Sequence, residues 1–241
     1  RLPVDVKLAR MVIAAPGHGC PREVPVIARF LGIQDPRERP ADQRAAADAA
    51  HATFVDPKSE FVGILKLWEA FRTAHEEMTQ SQLRKWADRH FLGFLRLREW
   101  RELHRQLKLL CEELQWKPEA GLDGLHGAAS GEGGDEAARP ARQGAGEAAR
   151  PARQGAPYAA LHRALIAGLP TQIGQRADRG LYDGPRGRKF MLFPGSSLSK
   201  KPPPWVLSAT LLDTEKVWAI GNAAIEPEWA IDELPHLLAR R

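Results

Sequence analysis

The residues best suited to contacting an anion lie in one segment, RKFMLFPGSSLSKKPPPWV, at positions 188–206. An apolar run typical of a buried strand ends there in a Gly-Ser-Ser turn, and paired cations stand on both sides of the run. Hydroxyls and backbone amides donate to phosphate oxygens, and lysines add charge without selecting a base. A solvent-exposed loop whose lysines only maintain solubility is an equally good interpretation of the composition. The candidate phosphate contacts are Arg188, Lys189, Ser196, Ser197, Lys200 and Lys201.

A second group of cations follows from helical spacing in HFLGFLRLREWRELHRQLKLLCEEL, residues 90–114. An apolar stripe is formed by Trp100, Leu103, Leu107, Leu110 and Leu114. About 200° around the helix lies a second stripe, formed by Arg98, Arg101, Arg105 and Lys108. A solvated face partly paired with Glu99 and Glu102 is the commoner arrangement, and a basic wall for a phosphate backbone is the functional one.

No catalytic residue and no metal ligand is predicted. The sequence contains no GxxxxGK[ST] phosphate loop, no DEAD or DEAH tetrad, no HExxH and no GxSxG. Its 8 histidines show no metal-ligand spacing. The two cysteines, Cys20 and Cys111, are too far apart for a CxxC motif and are expected to be ordinary reduced thiols. An independent enzyme is therefore not indicated.

Helical signals fill the first half of the chain. Asp5 is a candidate N-cap for a helix to Met11, and Asp56 followed by Pro57 is a candidate N-cap and first helical residue. Thr79 and Gln82 have capping-box spacing. Further helices are expected at residues 21–32 and 41–54, and an apolar helical face at Phe61, Ile64, Leu65, Trp68 and Phe71. These elements predict an all-helical bundle.

Residues 118–157 are rich in glycine and alanine and repeat EAARPARQGA in tandem, which predicts a disordered linker. A helix, YAALHRALIAGL, and five short strand candidates follow: TQIGQR, GLYDG, RKFMLFP, PWVLSATLLDT and KVWAIGNAAI. Five strands in so short a stretch predict a small barrel, with a hairpin at DTEK. A last helix from Pro227 is expected to pack back on the barrel. Trp205 begins an alternating apolar strand and is expected to pack in the core.

The overall composition favours a globular cytoplasmic protein without membrane association. The chain has 241 residues, of which 43% are hydrophobic, and no run approaches the roughly 18 apolar residues of a membrane span. Its start at Arg1 rather than Met suggests a piece of a longer protein. The net charge of +5 is compatible with a polyanionic partner but is not specific for one.

Five motifs resemble, in their order, the C-terminal half of a bacterial HrpA-type DEAH-box ATP-dependent RNA helicase: LPVDVKLARM, REVPVIARFLGIQDPRERP, FLGFLRLREWRELHRQL, FPGSSLSKKPPPWV and IEPEW. The resemblance covers nearly the whole chain except the linker. It implies an α+β multidomain protein: the end of a degenerate winged-helix region at 1–20, a helical ratchet domain at 21–117, the disordered linker at 118–157 and an OB-like domain with a C-terminal helix at 158–241. Pro25 and the duplicated linker are not expected of a typical member.

The resemblance also implies a role. The ratchet bundle and the barrel would bind single-stranded RNA and guide it beside the RecA-like motor domains of the same parent protein. ATP and magnesium would belong to those motor domains, so this chain should bind no cofactor and be inactive alone. The alternative is a protein-interaction platform that recruits, or is stimulated by, a partner.

Overall fold

The fold is a helical bundle joined to a small β-barrel. It is described by a computed structural model for residues 5–113 and 156–235. The helices of this part are α1 (Val6–Ala14), α2 (Glu23–Phe30), α3 (Arg44–His51), α4 (Glu60–Glu77), α5 (Gln80–Arg89), α6 (Phe94–Glu113), α7 (Ala156–Gly168) and α8 (Pro227–Glu233). The strands are β1 (Ile173–Arg176), β2 (Leu181–Asp183), β3 (Lys189–Leu192), β4 (Trp205–Asp213) and β5 (Val217–Ala224). The predicted fold class is confirmed.

Two of the three predicted helix caps are present. The carboxylate of Asp5 accepts from the backbone N of Lys7 at 2.7 Å, and Thr79 forms the complete capping box with Gln82. The predicted cap at Asp56 is wrong, because α4 starts three residues later than expected and is capped by Ser59. The Asp56 carboxylate instead accepts from the backbone N of Lys58 and of Ser59, both at 3.0 Å, in a turn before the helix.

Helices α2 and α3 are shorter than their predicted ranges of 21–32 and 41–54. Pro25 lies in the first turn of α2, where its missing N–H has no helical acceptor to lose, so the helix is not interrupted. After α3 the chain continues as a 3₁₀ turn, Ala52–Phe54. Both predictions therefore identified the element and overestimated its length.

All five predicted strands are present, and they close into a barrel in the order β1-β2-β3-β5-β4. Strand β3 pairs with β5 in parallel, and the remaining neighbours are antiparallel. The predicted hairpin joins β4 to β5, where the backbone N of Thr214 donates to the Lys216 carbonyl at 3.0 Å. A five-stranded barrel of this topology is an OB-fold.

The bundle and the barrel share one hydrophobic core. It joins Phe61 and Leu67 of α4 to Leu165 of α7 and to Leu207 and Ala223 on the bundle side of the barrel. The barrel has its own interior cluster of Tyr182, Phe190, Leu192, Leu198, Val206 and Ala219. Since helices from both sides of the predicted linker meet in one core, the barrel is fixed on the bundle. The exact domain boundaries remain a prediction.

The C-terminal helix packs mainly on α7, so the expectation that it packs on the barrel is wrong. The Arg163 guanidinium of α7 bonds to Glu233 at 2.8 Å and to Asp232 at 3.2 Å. The predicted linker lies outside the described residues except for residues 156 and 157, which begin α7. No helix in the described ranges is long and apolar enough to cross a membrane.

Candidate nucleic-acid interface

The loop between β3 and β4, residues 193–204, is held against the barrel along its length. Leu198, 1% exposed, packs in the barrel interior. The Tyr182 hydroxyl donates to the Pro203 carbonyl at 2.7 Å, and the Arg176 guanidinium donates to the Pro202 carbonyl at 3.2 Å. A loop anchored in this way presents its exposed side chains with little further ordering cost.

Three donors converge on the carboxylate of Glu60, the first residue of α4. The Ser196 hydroxyl and the backbone N of Asn222 donate to its Oε2 at 3.1 and 2.6 Å. The backbone N of Ser197 donates to its Oε1 at 3.3 Å, and the Asn222 side-chain amide donates to Ser196 Oγ at 3.2 Å. The turn expected to hold phosphate oxygens thus holds a carboxylate of its own chain, and Ser196 is only 6% exposed. Phosphate contact by the two serines remains a prediction.

The two pairs of predicted cations in the segment differ in their partners. Lys200 and Lys201 are exposed near the start of β4, and no ion-pair partner lies beside either of them within the described ranges. Arg188 bonds to Asp213 at the far end of β4, with 2.6 Å between nitrogen and oxygen. Lys189 lies 3.5 Å from an oxygen of Asp183. The loop pair is therefore available for a polyanion, whereas the second pair is already paired with carboxylates.

All four cations of the predicted basic stripe of α6 are exposed. Arg105 bonds to Glu102 at 2.7 Å, and this hydrogen bond lowers the pKa of Glu102 to about 2. The Arg98 guanidinium lies 5.9 Å from the ring centre of Phe94. The opposite side of α6 buries Trp100 and Leu107, as predicted. Helix α6 packs on α2 and α5.

A buried polar network at the joint of bundle and barrel was missed from the sequence. His162 of α7 and Ser59 are both 0% exposed, and Ser59 Oγ lies 2.6 Å from His162 Nε2. The other ring nitrogen lies 2.7 Å from the Tyr158 carbonyl. Burial lowers the pKa of His162 to about 4, so the neutral ring donates from Nδ1 and accepts the Ser59 proton at Nε2. No solvent reaches this Ser-His pair, which makes it structural.

The Tyr158 side chain extends the same joint. Its hydroxyl lies 2.7 Å from the carbonyl of Ala224 in β5 and 3.0 Å from the carbonyl of Lys58. Sequence signals for such a network are weak, because its members lie far apart in the chain. Trp205, in contrast, packs against the shared core as expected.

The remaining candidate chemistry is inert. Both cysteines are buried and free, and burial raises the pKa of Cys20 to about 12, which suppresses thiolate reactivity. Among the residues that the structure describes, no cluster of three or more His, Cys, Asp or Glu side chains is arranged to hold a metal ion.

Comparison with known proteins first identifies the class of fold. Residues 161–237 match the family model for the oligonucleotide/oligosaccharide-binding (OB) fold. Over its full length the chain is 36% identical to the ATP-dependent RNA helicase HrpA of Escherichia coli K12 and 34% identical to the HrpA homolog of Haemophilus influenzae Rd. A human protein described as a probable ATP-dependent RNA helicase is 23% identical over 97% of the chain.

The protein is thus a helical bundle that carries an OB-fold barrel. The chain belongs to the HrpA-type RNA helicase family and corresponds to its C-terminal region. It spans 16% of the length of each HrpA relative and 28% of the human one. The family assignment made from the five motifs is confirmed.

Proposed function

We propose that this chain is the RNA-binding and RNA-guiding module of an HrpA-type helicase. The observation that carries the proposal is the pair Lys200 and Lys201, which is exposed, has no carboxylate partner in the described ranges, and stands on a loop anchored to the barrel. Surface lysines in such a position bind a phosphate backbone without selecting bases. The name of the matched fold family and the helicase names of the relatives support this proposal.

The basic stripe of α6 is the second part of the proposed path. Arg98, Arg101 and Lys108 have no carboxylate bonded to them in the described part of the chain, whereas Arg105 is bonded to Glu102. Arg188 and Lys189 are proposed as weaker RNA contacts. An RNA phosphate must compete with Asp213 for Arg188 and with Asp183 for Lys189. Motor domains of the parent protein would supply ATP hydrolysis; this chain supplies binding.

The test is titration of a labelled single-stranded RNA at several salt concentrations. Each phosphate contact contributes about 0.7 to the slope of log affinity against log salt, so Lys200→Ala with Lys201→Ala should reduce the slope by about 1.4. The relative affinities for different RNA sequences should hardly change. Lys7→Ala with Lys85→Ala is a matched control, since it removes the same charge from exposed positions of α1 and α5.

The pair Arg101→Ala and Arg105→Ala reports on the α6 stripe. We expect a slope change closer to one contact than to two, because Arg105 already has a carboxylate partner. If the loop pair and the α6 pair both bind RNA like the parent at every salt concentration, the RNA-guiding proposal is wrong. The partner-platform alternative then becomes the better interpretation.

A further inference from the structure

A cleft on the helical bundle is lined by none of the proposed RNA contacts. It lies between α4, the C-terminal end of α5 and the 3₁₀ turn Ala52–Phe54, and its volume of about 620 Å³ is typical of a ligand pocket. Helix α4 lines it with residues three or four positions apart, which share one side of the helix. The α4–α5 cleft is defined here by Phe54, Lys66, Thr73, Glu77, Trp86 and His90.

Aromatic rings form the floor of the α4–α5 cleft. Phe54 and Trp86 are only 6% and 8% exposed, so they lie at its bottom. The ring centre of His90 lies 4.6 Å from that of Trp86 and 6.2 Å from that of Phe54. Aromatic faces attract cations, and rings also pack against the apolar stem of a long charged side chain.

The positive charge of the cleft is already paired within the chain. Among the described lining residues, Lys66 is the one Lys or Arg. Its Nζ donates to the Val55 carbonyl at 3.2 Å and to a carboxylate oxygen of Asp56 at 3.3 Å. The Thr53 hydroxyl likewise donates to the Ala50 carbonyl at 3.1 Å. These two donors therefore have acceptors without any ligand.

Two acceptors of the cleft have no partner in the part of the chain that the structure describes. The first is the exposed carboxylate of Glu77, whereas Glu69, the other acid of the lining, is bonded to Arg72 at 3.2 Å. The second is Nε2 of His90. The Nδ1 of this ring lies 2.7 Å from the Trp86 carbonyl and carries the proton, because a carbonyl only accepts, so Nε2 of the neutral ring is an acceptor. The uncompensated charge of the cleft is thus negative.

A ligand that complements this arrangement carries positive charge. RNA does not fit, because its phosphates would meet the carboxylate of Glu77. A lysine ammonium is compact and strongly hydrated, whereas an arginine guanidinium is planar, presents five N–H donors and stacks on aromatic faces. A guanidinium can therefore donate to Glu77 and contact the aromatic floor at the same time.

We propose that the α4–α5 cleft binds an arginine side chain of a partner protein, in a segment where apolar residues flank that arginine. The guanidinium donates to Glu77 and contacts the rings of His90 and Trp86. The cleft is larger than one arginine side chain, and apolar residues such as Ala70 and Met78 line the rest of it, which favours a peptide over free arginine or a polyamine. This contact is independent of the proposed RNA binding.

The test uses the full 241-residue chain and three blocked tripeptides, in which arginine, citrulline or lysine stands between two leucines. Citrulline has nearly the shape of arginine without its charge. Binding is followed through the NMR signals of the Trp86 indole and the His90 ring. The arginine peptide should bind about 10-fold more tightly than the citrulline peptide, which is the sum of an exposed ion pair and a cation–π contact. The lysine peptide should bind more weakly than the arginine peptide.

Glu77→Gln removes the charge while it keeps the size of the side chain. It should lower the affinity for the arginine peptide about 3- to 5-fold, the upper range for an exposed ion pair, and leave the citrulline peptide unchanged. Glu76→Gln is the matched control, since it removes the same charge from the neighbouring residue of α4, which is bonded to Arg72 and does not line the cleft. This control should leave every affinity unchanged.

Thr73→Trp should fill the cleft and abolish the binding of all three peptides. Thr73 is exposed on α4, as are Glu76 and Glu77, so the three variants should fold like the parent. Circular dichroism and the thermal midpoint of each variant check this.

Several outcomes would overturn the proposal. Equal affinity for the arginine and citrulline peptides refutes it, as does equal weakening by Glu77→Gln and Glu76→Gln. Unchanged binding to Thr73→Trp refutes the cleft as the site, and a lysine peptide that binds as tightly refutes the choice of arginine. Absence of binding of the arginine peptide up to about 10 mM also refutes it. Because no arm of the test contains RNA, none of these results bears on the proposed RNA binding.

Discussion

Replacing Glu60 tests whether one carboxylate holds the loop and the barrel on the bundle. In Glu60→Ala the hydroxyl of Ser196 and the backbone N of Asn222 lose their shared acceptor, and these residues are 6% and 0% exposed. A buried donor left without an acceptor costs about 1–3 kcal/mol. Glu60 itself is half-buried, so water can enter the vacated space and the cost per donor stays in the lower half of that range.

We therefore expect Glu60→Ala to lower the free energy of unfolding by about 3 kcal/mol, with about one to two kcal/mol from each donor that is left without an acceptor. For a chain of this size that is roughly 6–12 °C in thermal midpoint. Glu60→Gln should lose only about 1 kcal/mol, because the amide oxygen in the Oε2 position keeps the two closest bonds. Only the contact of Ser197 with Oε1, at 3.3 Å, is then replaced by an amide group.

The assay is urea unfolding followed by circular dichroism, with Glu77→Ala as the control. Glu77 is the exposed last residue of the same helix, and surface changes are usually worth about 0.5 kcal/mol or less. In a double-mutant cycle, Glu60→Ala and Ser196→Ala should be less than additive, because each removes the same hydrogen bond. A Glu60→Ala protein as stable as Glu77→Ala, or strict additivity in the cycle, would refute the reasoning.

Three further predictions follow from the sequence and from the buried histidine. The purified chain should hydrolyse no nucleoside triphosphate with or without RNA, since it lacks a phosphate loop; RNA-stimulated phosphate release that survives repurification would contradict this. Replacing residues 118–155 by a Gly/Ser segment of equal length should move the thermal midpoint by about 2 °C or less, because their composition cannot form a core; calorimetry of both proteins decides it. Burial depresses the pKa of His162 from 6.5 to about 4, so its contribution to stability is complete above pH 6.5 and is lost as the pH falls towards 4. Unfolding between pH 7 and pH 4 should show a shallower pH dependence in His162→Gln; an unchanged dependence would assign the effect to another group.

Local signals in the sequence determined most of the elements. The capping box at Thr79 needs only Gln82 three residues later, and each barrel strand is an apolar run closed by Gly, Pro or a charged turn. The five motifs were sufficient to identify the family, because each of them is a local pattern in the sequence. The lysine pair of the loop was found in the same way. Propensity alone gave a wrong cap at Asp56, because the helix is capped by Ser59 three residues later.

Contacts between distant residues were decided only by the tertiary structure. Ser196 meets Glu60 across 136 residues of sequence, and His162 meets Ser59 across 103. Neither pairing has a spacing that a sequence pattern can reveal. Phe193 lies beside Trp218 because β3 pairs with β5 in parallel. The types of these residues were evident from the sequence, but their partners depend on how the barrel closes and where it rests on α4, because packing is set by the whole chain.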